Sequence, residues 1–256
     1  MVRLKTKKDV LILREGGKRL ASILAAVARE VKPGVSTAYL DQVAARLIKE
    51  AGDQSAFLNY KPRGARRPFP ASLCVSINDE VVHGIPTENP RILEEGDIVS
   101  LDLGLKHKDL ITDHAVTVAV GKIDPELKKL LEITEQALLA GIKAAKPGNK
   151  TGDIGAAIEE FVRPYGYGIV EELAGHGVGY AVHEDPFVPN FGVPNQGVLL
   201  QPGLVIAIEP MLTTGGPDIE VDQDGYTILT SDKSMAAHFE HTIVITEKGA
   251  DILTRA

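Results

Sequence analysis

Asp102, Asp113, His176, Glu209 and Glu240 stand in the segments VSLDLG, ITDHAV, AGHGVG, AIEPML and HFEHTIV. Each segment reads as an apolar strand or a glycine-rich loop, where a carboxylate is costly to bury unless a partner or a metal meets it. Four acids converging in space would repel one another and hold protons. Two divalent cations remove the conflict, setting four positive charges against the four carboxylates. Oxygen-rich ligands with one imidazole suit manganese, iron, cobalt or zinc, and water held between two such ions becomes a nucleophile near neutral pH. The chemistry in prospect is hydrolysis at a two-metal centre.

The elements that must position these groups can be read from spacing. Ile98 to Leu105 and Leu110 to Val120 alternate as strands on either side of the polar tetrapeptide Lys106 to Asp109, which suits a hairpin loop. That register sets Asp102 directly opposite Asp113, with Cβ atoms roughly 5 Å apart. Ser100, Gly104, Ala115 and Thr117 share their face and are small, as a floor beneath a ligand should be. Leu101, Leu103, Val116 and Val118 make the other, apolar face. Glu209 and Glu240 are lone acids in apolar strands, and the glycines around His176 leave its imidazole free to reach a ligand.

The chain also repeats itself. VKPGVSTAYLDQVAARLI from Val31 aligns with AKPGNKTGDIGAAIEEFV from Ala145 at an offset of 114 residues. Leu40, Ala44, Leu47 and Ile48 fall on Ile154, Ile158, Phe161 and Val162, one buried helix face in each copy, with Thr37 and Thr151 as the expected N-caps. Each copy follows a long helix (about Lys7 to Glu30, then Pro125 to Ala145) and precedes a run of strands. In the second half these are Gly168 to Leu173, Leu204 to Leu212, Tyr226 to Thr230 and Ala236 to Thr246. The expectation is an α+β fold in a single catalytic domain, 1–256. Its pseudo-symmetric halves, about 1–122 and 123–256, meet at the site.

At 256 residues and 44% hydrophobic content the chain can bury a core without staples. One cysteine, Cys74, excludes an internal disulfide, and no apolar run has the length of a signal peptide or a membrane span. A cytoplasmic location is expected. The net charge of -7 argues against a dedicated nucleic-acid binder and for a small or extended substrate.

The five motifs, in this order and with spacings of 11, 63, 33 and 31 residues, resemble the type I, bacterial-type methionine aminopeptidases of the pita-bread metallopeptidase family. The resemblance covers nearly the whole chain. It implies a curved antiparallel sheet covered by helices, and Asp113 and Glu240 bridging two metals. Asp102 would chelate one of them, and His176 with Glu209 would complete the other. It also makes Glu209 the proton shuttle. His83, in NDEVVHGIP, would contact the substrate near the scissile amide, and His183, in AVHEDP, its carbonyl and developing oxyanion. Phe57, Tyr60, Phe69, Cys74, Val182 and Tyr226 would line the methionine slot. The implied partner is the N-terminus of a nascent polypeptide with a small second residue, handled by a monomer.

Three positions depart from the family's familiar members. Val182 stands where phenylalanine is known and Tyr226 where some carry tryptophan. The loop 61–68 is longer, and its four cationic side chains, Lys61, Arg63, Arg66 and Arg67, suit electrostatic docking to ribosomal RNA. The rival readings are an Xaa-Pro aminopeptidase or dipeptidase on the same fold and a non-catalytic peptide-binding relative. The first usually carries a large extra N-terminal domain, and the second typically loses metal ligands.

Overall fold

The computed structural model describes residues 2–62 and 64–255. Its helices are α1 (Lys7–Arg29), α2 (Thr37–Glu50), α3 (Pro125–Ala144) and α4 (Thr151–Val162). Before α3 lie β1 (Gln54–Ser55), β2 (Cys74–Ile77), β3 (Glu80–Val82), β4 (Ile98–His107) and β5 (Leu110–Ala119). After α4 come β6 (Gly168–Ile169), β7 (Gly175–Gly177), β8 (Glu184–Val188), β9 (Val205–Ile208) and β10 (Met211–Thr213), then β11 (Ile219–Val221), β12 (Ile228–Thr230), β13 (Ala236–His238), β14 (Glu240–Thr246) and β15 (Gly249–Ile252).

An antiparallel nine-stranded sheet runs β1-β4-β5-β14-β9-β7-β8, with β2 also on β4 and β15 also on β14. α1 and α2 bury Leu20, Leu24, Val27, Leu40 and Ala44 against Val75, Val99, Leu101 and Leu103. α3 and α4 bury Leu130, Leu138, Ile154 and Ile158 against Ile206, Ile208, Ile243 and Ile245. Helices therefore cover one face. Alternation along each strand sends Ser100, Asp102 and Gly104 to the other, which stays open for a ligand.

The β4–β5 hairpin is tighter than its sequence suggests. Its loop is Lys108-Asp109 alone, both at positive φ (47° and 68°), and His107 pairs with Leu110. Lys-Asp lacks the Asn-Gly signature of such a turn. His107, polar enough to read as loop, is buried with Nδ1 2.7 Å from Asp53 Oδ1. The register consequently moves by two: Asp102 opposes Ala115 and Asp113 opposes Gly104. A shift of two keeps every side chain on its face, so the aspartates are diagonal rather than direct neighbours. Gly104 remains bare for Phe57, whose ring a Cβ there would meet at 2.6 Å.

Two expected strands are each broken. Leu204 to Leu212 divides into β9 and β10 at Glu209-Pro210, since proline has no N–H to give a ladder, and Ala236 to Thr246 divides into β13 and β14 at Phe239. β9 and β14 stay in the large sheet while β10 and β13 pair in a separate three-stranded one. Glu209 thus lies at a break rather than within a strand, and Glu240 directly follows one. The caps also differ from expectation. Ser36, not Thr37, caps α2 by accepting from the Tyr39 N–H (3.2 Å), and the N-cap position of α4 is Lys150, whose N–H donates to Asp153 Oδ2 (2.7 Å).

Thr37 and Thr151 instead tie each helix start to a distant loop. Thr37 Oγ1 accepts from the Arg91 N–H (3.1 Å) and Thr151 Oγ1 from the Val198 N–H (3.2 Å). Bridges Ser36–Ile92 and Lys150–Leu199 follow, with Gly34 N–H to Leu93 O and Gly148 N–H to Leu200 O. The same bonds therefore occur twice. At the seam between β5 and β14 the arrangement is reciprocal. Thr242 Oγ1 accepts from the Asp113 N–H (2.8 Å) and donates to the Asp113 carbonyl (2.7 Å), while Thr117 Oγ1 serves the His238 N–H and carbonyl (both 2.8 Å).

Each of these buried hydroxyls satisfies two backbone groups, so Thr117→Val and Thr242→Val should each cost about 1–3 kcal/mol. Urea unfolding of the metal-free protein should place both midpoints lower with the slope unchanged. Wild-type midpoints in both variants would show that the seam does not depend on them.

Candidate metal centre and peptide cavity

A cavity of about 500 Å³ opens on the uncovered face of the sheet. Every residue that the sequence nominated for metal, substrate or catalysis lines it. β4 contributes Asp102 and β5 Asp113. β7 contributes His176, the break after β9 Glu209, and the start of β14 Glu240. Carboxylate oxygens of Asp113 and Glu240 and a ring nitrogen of His176 lie within 4.8 Å of one another. His176 Nε2 is 3.4 Å from Glu209 Oε1. Asp102 stands opposite Cys74 of β2, and its Oδ1 has no hydrogen-bond partner among the described residues. Glu240 Oε1 is likewise unpartnered.

The electrostatics of so many buried acids are severe. Burial and the neighbouring Asp113 and Glu209 push Asp102 well above the usual carboxylate range, and burial with Asp113 does the same to Glu240. Asp113 rises to about 7 through burial and the charge of Glu209, and Glu209 rises to about 8 through burial. Burial also holds His176 down to about 3, so its imidazole is neutral and offers a lone pair. This is the donor set of a cation site: orphaned oxygens and a neutral imidazole at one point, in an environment that disfavours bare negative charge. Cys74, pushed up by burial and Asp102, stays a thiol and contributes only shape.

The histidines expected to meet substrate sit beside this group. His183 Nδ1 is 2.9 Å from the Tyr60 hydroxyl, and its ring meets that of His176 edge-on at 4.4 Å. Donation by Tyr60 to Nδ1 leaves the proton on Nε2, the tautomer that can donate to an oxygen. His83 adopts a left-handed backbone (φ 61°), uncommon outside glycine. The next residue, Gly84, packs so closely on β2 that a Cβ there would lie 2.2 Å from the Val75 carbonyl oxygen. Together these turn the His83 segment into the cavity. Burial lowers His83 to about 4.

The apolar end of the cavity joins Phe57, Phe69, Cys74 and Val182, with Tyr60 and Tyr226 packed against them. Tyr226 meets Phe69 edge-on at 5.2 Å and donates its hydroxyl to the Arg67 carbonyl (2.5 Å). The basic loop is therefore part of the wall, through Pro62 and Ala65. Arg67 is not a free charge: both guanidinium ends bind Glu88, and Nη2 also donates to the Asp224 carbonyl (3.1 Å). Lys61 and Arg66 are exposed, and Arg63 lies outside the described residues.

One residue at this site escaped the sequence reading. His238 is 1% exposed, with Nε2 3.5 Å from Glu209 Oε2 and no hydrogen bond to either ring nitrogen among the described residues. Its place two residues before Glu240, in AHFEHT, is the one signal that could have marked it.

Residues 12–247 match the model of metallopeptidase family M24. The chain is 44% identical to methionine aminopeptidase 1 of Bacillus subtilis over all of both chains. It is 45% identical to the methionine aminopeptidase of Aquifex aeolicus, over 99% of this chain and 98% of that one. The crystal structure of methionine aminopeptidase from Thermotoga maritima superimposes with a TM-score of 0.94 at 40% identity, covering both chains completely. With similarity of that extent on a pita-bread architecture, the chain belongs to metallopeptidase family M24.

Proposed function

We propose that the chain is a methionine aminopeptidase that removes the first residue of nascent polypeptides when the second is small. One observation carries this: the clustered acids and imidazoles share one cavity with an apolar slot of aromatic rings and a thiol, the surroundings a thioether favours. The names of full-length relatives at 44% and 45% identity support methionine over a proline-directed specificity.

In this reading Asp102, Asp113, His176, Glu209 and Glu240 would together hold two divalent cations. Manganese, iron, cobalt or zinc would satisfy the donors. Ions so held supply Lewis-acid polarisation of an amide carbonyl and an acidified water. The remaining work belongs to side chains. Glu209, a cavity-lining carboxylate beside His176, takes the proton of the attacking water and passes it to the departing amine. The Nε2–H of His183, oriented by Tyr60, meets the carbonyl oxygen as negative charge grows on it. His83 contacts the substrate near the scissile amide. Phe57, Phe69, Val182 and Tyr226 hold the methionine side chain, Val182 leaving slightly more room than a phenylalanine would. One catalytic domain, built from two similar halves, acts as a monomer in the cytoplasm.

Glu209→Gln should lower kcat on a Met-Ala peptide by about 100-fold or more while KM stays within a few-fold. Wild-type protein in metal-supplemented buffer should release methionine from Met-Ala but not from Met-Leu, Leu-Ala or Xaa-Pro peptides. Undiminished activity of the variant would refute the role of Glu209, and preference for proline at the second position would refute the specificity.

Lys61 and Arg66 offer a cationic edge beside the cavity for ribosomal RNA, where nascent chains emerge. Salt-sensitive co-sedimentation with ribosomes should be lost in the Lys61→Ala, Arg66→Ala double variant. Sedimentation indifferent to both salt and substitution would reject the docking.

A further inference from the structure

Glu209 is held between two imidazoles. His176 Nε2 is 3.4 Å from its Oε1 and His238 Nε2 is 3.5 Å from its Oε2. Only the first joins the compact donor group with Asp113 and Glu240. His238 is as buried as the ligands yet has neither ring nitrogen satisfied among the described residues, and buried polar atoms left in that state ask for a function. Its backbone is fixed as firmly as that of Asp113. Thr117 brackets the N–H and carbonyl of His238 as Thr242 brackets those of Asp113, all at 2.7–2.8 Å. The backbone that carries the imidazole is thereby tied to β5 beside the cavity.

A carboxylate only accepts hydrogen bonds, and a neutral imidazole has one nitrogen that donates. The nitrogen facing Glu209 is Nε2. We infer that His238 is a positioning residue for Glu209, donating from Nε2 to Oε2 so that Oε1 is directed toward His176 and the cation site. The inference rests on the proton-carrying role of Glu209 proposed above. The 3.5 Å separation needs a contraction of a few tenths of an ångström, as catalytic contacts commonly tighten in the loaded state. Such outer partners fix which carboxylate oxygen faces the metal and which carries the proton. An amide at position 238 could supply the same donor, whereas alanine could not.

The test combines kinetics with a view of the ring itself. His238→Ala should lower kcat on a Met-Ala peptide by about 10–100-fold with KM changed little, and His238→Gln should recover most of the loss. Long-range nitrogen-15 spectra of histidine-labelled, zinc-loaded wild-type protein should show His238 protonated at Nε2 and bare at Nδ1. Equal losses in the Ala and Gln variants, or no loss in either, would overturn the inference. So would an unprotonated Nε2 in the zinc-loaded protein, which would make His238 a metal ligand instead. If Glu209→Gln kept full activity, the reading of Glu209 would fail, and this inference with it. If Glu209→Gln lost activity while His238→Ala did not, this inference alone would fail.

Discussion

The constraint on which the structure turns is the crowding of carboxylates on the open face of one sheet. Asp102, Asp113, Glu209 and Glu240 are largely removed from water, and each is driven above its usual range by burial, to which the charges of neighbouring acids add at Asp102, Asp113 and Glu240. Without a cation, the fold binds protons that the unfolded chain would release at neutral pH. These groups burden it least below their ordinary values of 3.8 and 4.5, where they are protonated folded or unfolded. Stability then falls as pH rises through about 7 for Asp113 and about 8 for Glu209. A bound divalent cation would reverse that burden, so the arrangement most costly for the empty protein would be the one most favourable for the loaded one.

The rest of the fold brings the acids together and keeps them there. Helices α1 to α4 cover one face of the sheet, and their apolar contacts leave the other free for polar side chains. The β5–β14 seam joins the first acids to the last, and Thr117 and Thr242 fix its register through the backbone of His238 and Asp113. Breaks at Glu209-Pro210 and Phe239 let strands leave the large sheet beside the cavity, where Glu209 and Glu240 line it. Backbone geometry does similar work at His83, held in the left-handed region, and at Gly104, bare beneath Phe57.

Much of this was legible in the sequence, and what was not has a physical reason. Alternation in SLDLG and ITDHAV placed Asp102 and Asp113 on one face, because the period of a strand survives any error of two in register. The register differs by two from that pattern because Lys108-Asp109 adopts a turn that its composition does not advertise. The duplicated KPG segments marked two helix starts, yet Thr37 and Thr151 bind distant loops rather than cap, a role that depends on tertiary partners no local pattern reveals. His238 went unnoticed for a similar reason. Nothing nearby in sequence announces that a strand break will swing its ring against Glu209.

The central claim is that this carboxylate cluster is completed by two divalent cations. A calorimetric titration of the metal-free protein with manganese, repeated between about pH 6 and 8 in buffers of different ionisation enthalpy, addresses it most directly. Ligands must give up protons to bind metal. The account predicts two equivalents bound, protons released at neutral pH, and affinity rising with pH across that interval. A single equivalent, or binding with no proton release and no dependence on pH, would contradict it.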